Sequence, residues 1–116
     1  PVFVSSLVVA SATAAAVADH EEVTIVASGI AGWEPAAEDE ICANLISELL
    51  IGGRADRAAA GEAVATHERA RYLRAATFAH PDDVRLCSQV DRFSFAMTVA
   101  ESNGLVVVSP TADPGS

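Results

Sequence analysis

Between Val23 and Leu50 the chain runs from a β-branched segment through a glycine loop into an amphipathic helix, and that order constrains the fold most. Val23-Thr24-Ile25-Val26-Ala27 predicts a buried strand, apolar on both faces. Gly29 and Gly32 punctuate a loop that ends at Pro35, a residue tolerated in the first turn of a helix. A helix is expected from Ala36 to Ile51, stopped by Gly52-Gly53. At about 100° per residue, Ile41, Cys42, Leu45, Ile46, Leu49 and Leu50 share one apolar stripe. Glu40, Asn44, Ser47 and Glu48 lie opposite it. Glu38 and Asp39 extend the apolar lines 41, 45, 49 and 42, 46, 50, so two neighbouring carboxylates are expected to point inward at the helix start.

The flanking segments complete an alternating order. Pro1 to Val9 reads as a first buried strand, and Ser11 and Thr13 as caps of a short alanine-rich helix through about Ala18. Asp19-His20-Glu21-Glu22 is a polar turn. A weaker helix spans about Ala55 to Leu73, and Pro81-Asp82-Asp83 opens another. Phe95 to Val99 and Leu105 to Val108 form a hairpin about Asn103-Gly104, followed by a frayed tail from Thr111 to Ser116. The expected class is α/β, a layered αβα arrangement whose mixed sheet holds at least one parallel pair and ends in the β-hairpin.

Charge and composition exclude several functions. Sixteen acids against seven bases give a net charge of −9, which repels a phosphate backbone, so no nucleic acid partner is expected. Every base other than histidine is an arginine. No apolar run approaches the roughly 18 residues of a spanning helix, so no membrane partner is expected either. The apolar start lacks the positive segment of a secretory signal. Cys42 and Cys87 show no metal-ligand spacing and read as reduced, mostly buried thiols of a cytoplasmic protein.

The chemistry is expected where open α/β sheets place ligands, at the carboxyl end of the strand before the glycine loop. Ser28-Gly29-Ile30-Ala31-Gly32-Trp33 is neither a nucleotide-hydrolase phosphate loop nor a dinucleotide fingerprint, and a plain tight turn explains its glycines. Acids in a first helical turn also complement the helix dipole. Inward carboxylates do more: Glu38 and Asp39 suit a hard cation such as Mg²⁺, with loop amides and the helix N-terminus holding an anion. His20, His67 and His80 share no ligand spacing and read as structural. No nucleophile elbow supports a serine triad, and Cys42, mid-stripe, reads as a buried thiol. Trp33 walls a small pocket or shields the helix start.

Ser6-Leu7-Val8-Val9-Ala10-Ser11-Ala12-Thr13-Ala14 is similar to the strand-to-helix segment of the 2-phosphosulfolactate phosphatase family. Val26-Ala27-Ser28-Gly29 followed by Glu38-Asp39 and Cys42-Ala43 resembles its glycine loop and acidic-pair helix. Pro81-Asp82-Asp83-Val84-Arg85-Leu86-Cys87 and Val90-Asp91 resemble its late helix and final approach to the sheet edge. The resemblance covers nearly the whole chain and the later half of such a protein. It implies a Mg²⁺-dependent phosphatase that hydrolyses the phosphate monoester of a small sulfonated or carboxylated hydroxy acid. Glu38 and Asp39 are then the catalytic and metal residues, and Ser28, Gly29 and Gly32 bind the anionic substrate. The chain departs from the family at Val9, where asparagine is frequent, and at Asn44, where glycine is.

Under this resemblance residues 1–116 are one α/β domain or the C-terminal half of a phosphatase-like domain, and the expected partner is a second copy or a missing N-terminal half. The alternative is a catalytically incomplete, structural or oligomer-forming piece whose apolar sheet edge seeks another strand. A third reading starts from Pro1, whose amine would serve as the base of a tautomerase if burial lowered its pKa.

Overall fold

The structure, a computed structural model, describes residues 1–112. Strand β1 (Val2–Val4) leads through a 3-10 turn (Leu7–Val9) into helix α1 (Ala10–Val17). Helices α2 (Ala37–Leu50), α3 (Arg57–Thr66), α4 (Glu68–Ala75) and α5 (Asp83–Cys87) follow, and strands β2 (Met97–Ser102) and β3 (Leu105–Pro110) close the chain. Helices and sheet together give the expected α/β class. The hairpin forms where Asn103-Gly104 predicts it, with both residues at positive φ (51° and 78°) and Ser102 opposite Leu105. That is the geometry a two-residue turn needs to match strand twist.

The sheet order is β1-β2-β3 and both pairings are antiparallel, with Val2 opposite Val99 and Val99 opposite Val108. The expected parallel pair does not form among the described residues, because Val23–Ala27 is extended without a partner strand. No backbone hydrogen bond joins it to another described residue. It is also exposed rather than buried, with Val26 at 78%.

The first strand is likewise shorter than expected. Val2 and Val4 are exposed, the strand stops at Val4, and after the extended Ser6 Leu7 and Val9 enter the core on the 3-10 turn. Ser11 and Thr13 lie inside α1 rather than capping it. The Thr13 hydroxyl donates to the Val9 carbonyl (2.9 Å) and shares a hydrogen bond with the Ser5 hydroxyl (2.8 Å). The cap comes from far along the chain: Asp91, at φ 59°, accepts from the Ser11 N–H (2.8 Å) and hydroxyl (2.6 Å). The Arg57 guanidinium donates to the same carboxylate (2.8 Å), so one side chain joins α1, α3 and the approach to β2.

The core lies between helices. Leu7, Ala10 and Ala14 pack against Cys42, Leu45 and Ile46 of α2, with Leu49, Leu50, Ala60, Val64 and Val90 around them. The stripe read from α2 is therefore the face it buries, and α2 ends at Leu50, with Gly52 (φ 75°) beyond its cap and the Gly53 N–H reaching back to the Glu48 carbonyl (3.1 Å). The single helix expected from Ala55 to Leu73 is two. His67 turns extended (φ −64°, ψ 156°) and its Nδ1 accepts from the Arg69 N–H, which caps α4 and lets Ala70 reach the core. Asp56 caps α3 through the Ala59 N–H (2.9 Å). At the end of the chain Thr111 is not frayed, since it exchanges two hydrogen bonds with Ala96; the rest of the expected tail, residues 113–116, lies outside the described residues.

Candidate functional site

The first turn of α2 and the segment before the glycine loop face one cavity of about 820 Å³. Ser28, Glu38 and Asp39 line it, with the start of β1 and the α3–α4 junction on other walls. As the helix wheel predicts, Glu38 and Asp39 are half-buried whereas Glu40 is exposed. Three acids occupy this first turn. Their negative charge is favoured there because the leading N–H groups of a helix have no intrahelical acceptor.

The two inward carboxylates have different surroundings. Asp39 Oδ2 accepts the Gly29 N–H at 2.8 Å, which fixes the loop against the helix. Gly29 sits at φ 70°, and a Cβ there would lie 2.3 Å from the Glu34 carbonyl oxygen, so only glycine fits. The loop then closes on itself: the Ile30 N–H donates to the Glu34 carbonyl (2.7 Å), and the Trp33 and Glu34 N–H groups donate to the Ile30 carbonyl. Ala31 and Gly32 turn its tip at φ 54° and 78°. Glu38 makes no hydrogen bond to another described residue through its carboxylate, which leaves its oxygens free on the wall, as are those of Glu22 farther along it.

Of the residues expected to bind substrate, Ser28 is on the cavity wall and the other two are not. The Gly29 N–H is already committed to Asp39, and Gly32 is at the exposed loop tip with nothing within 4 Å of a Cβ position. Trp33 is 86% exposed and does not line this cavity. Pro1 lines the cavity edge and is exposed.

Burial pushes the Cys42 thiol up to about 11, and the Asp39 carboxylate one turn earlier adds to the rise. Cys42 is thus a protonated core thiol that also touches the cavity, not a nucleophile. The histidines play local roles. His20 lies 3.3 Å from the Asp19 carboxylate, His67 caps α4, and His80 Nδ1 accepts the Asp82 N–H at 3.1 Å. Among the described residues no three histidine, cysteine or acidic side chains gather as a metal-ligand group, and no helix is long and apolar enough to cross a membrane.

Comparison with protein-family models, curated proteins and solved structures finds no match to this chain. The site therefore stands on its geometry. Arg69, which nothing in the sequence singles out, and His67, whose spacing reads as structural, complete the cavity wall at the α3–α4 junction; they reach it because the chain breaks at His67, which a run of helix formers conceals.

Proposed function

We propose that the cavity at the start of α2 binds a small anionic phosphate monoester, sulfonated or carboxylated as in 2-phosphosulfolactate, for Mg²⁺-assisted hydrolysis in the cytoplasm. The observation that carries this reading is the pair Glu38 and Asp39, half-buried on one cavity wall beside Ser28. The donor set fits Mg²⁺, a hard cation commonly held by one or two carboxylates together with water and substrate phosphate oxygens. When bound, the ion would polarise a phosphoryl oxygen and acidify a water molecule. Glu38 would hold it, and Asp39, whose Oδ2 is committed to the Gly29 N–H, would offer its Oδ1. Asp39 acts first as a positioning residue, because it holds the Gly29 amide and hence the place of Ser28. Ser28 and the unpaired N–H groups of the α2 first turn would bind the phosphate.

The test is phosphate release from phosphosulfolactate with Mg²⁺ and with EDTA. Metal-dependent turnover is expected, lost in Glu38→Ala and reduced in Asp39→Ala; turnover that survives both substitutions would overturn the assignment.

A second reading is favoured by one specific feature, the bare segment Val23–Ala27. In that reading residues 1–116 are an incomplete unit whose groove is closed by further β-structure, and catalysis waits on it. A folded chain without turnover, carrying fast-exchanging amides along Val23–Ala27, is its expected signature.

A further inference from the structure

An extended backbone with no hydrogen-bond partners is a row of donors and acceptors ready for another strand. Among the described residues Val23–Ala27 has no backbone hydrogen-bond partner and is such a row, and it lines the same cavity as Val2 and Phe3 of β1. Among the described residues β1 pairs with β2 along one side only, so its other edge is open to them as well. The groove thus offers strand-forming backbone on two of its walls, together with the apolar side chains of Val23, Ile25 and Ile46.

Charge distinguishes between occupants. Glu22, Glu38, Asp39 and Asp83 line the groove against one guanidinium, Arg69. A strand that enters it is favoured if it brings positive charge. A second copy brings none: all seven arginines lie between Arg54 and Arg92, the three strands contain no basic residue, and the copy adds its own net charge of −9.

Resting on the second reading above, we propose that this groove takes a β-strand from a partner segment, apolar and β-branched at alternate positions and flanked by arginine or lysine. Main-chain hydrogen bonds to Val23–Ala27 supply the docking and the acidic rim selects the flanks.

The experiment titrates the purified chain with a capped peptide of about seven residues, alternating valine and threonine with arginine at each end, and with its glutamate-ended counterpart. Amide exchange along Val23–Ala27 is followed by NMR, and mass by sedimentation. The arginine-ended peptide is expected to protect these amides, and the glutamate-ended one to bind about tenfold more weakly at low salt. Ile25→Pro removes a ladder N–H from a segment that makes no backbone bonds to other described residues, so it should abolish protection and leave the β2–β3 hairpin amides unchanged. Equal binding of both peptides, or no protection at saturation, would overturn the proposed chemistry. Protection that appears with rising chain concentration and a doubled mass would make a second copy the occupant and overturn it equally. If instead the segment is already protected in the dilute monomer, the groove is closed and the second reading itself fails.

Discussion

Cys42 links the core to the site at the scale of single residues. Its thiol, raised from 9.0 to about 11, stays protonated in the folded chain while the unfolded chain ionises from about pH 9 upward. Proton binding then favours the folded state, so this contribution to stability is complete below pH 9 and is lost as pH rises towards 11. Urea midpoints measured across that interval should fall. A thiol reagent at pH 8 should label exposed Cys87 quickly and Cys42 only after unfolding. Asp39→Asn removes the charge that adds to the rise, so it should speed Cys42 labelling in alkali; an unchanged rate would mean that burial alone sets it. The inward direction of Glu38 and Asp39 was legible in the sequence, because the helix period alone fixes which face a residue shares. That the Gly29 amide is Asp39's partner was not, since loop and helix meet only when the chain turns at Gly32 and Pro35.

Elements show where local pattern suffices. α2 lies within one residue of its expected ends at each side, and the hairpin turns at Asn103-Gly104, since an apolar stripe and a turn dipeptide each carry their own instructions. The strand at Val23–Ala27 failed for the converse reason: β-branched residues favour extension, but pairing needs a neighbour that sequence pattern does not name. The long alanine helix failed at His67 because its ring caps α4, a role composition does not advertise. Asp91 is the clearest non-local device, 80 positions from the Ser11 amide it caps. Asp91→Ala should lose that cap and the Arg57 pair and place alanine at φ 59°, a destabilisation of about 3 kcal/mol by urea unfolding. Asp91→Asn keeps a residue tolerant of that backbone and one acceptor oxygen, and should cost about 1 kcal/mol. Equal losses would mean that strain and cap matter less than the ion pair.

Charge and exposed strand surface dominate the whole molecule. With sixteen acids and few ion pairs, mutual repulsion in the folded chain outweighs the pairs that salt would screen. Raising NaCl from about 10 mM to about 1 M shortens the Debye length from about 30 Å to about 3 Å, and Tm should therefore rise. A fall would assign more stability to Arg57–Asp91 and its like than half-exposed pairs ordinarily give.

Among the described residues the outer edge of β3 is also unpaired, and Leu105–Val108 are exposed along it. That edge and Val23–Ala27 are different surfaces of one chain. If one copy's hairpin edge met another's bare segment, the contact would be head-to-tail rather than two-fold, and each addition would present the same pair of free ends again. Such a contact grows without a stopping point unless its rotation closes a ring. Like charge on every subunit opposes the first step, so concentrated salt should turn a stable solution into one that seeds filaments.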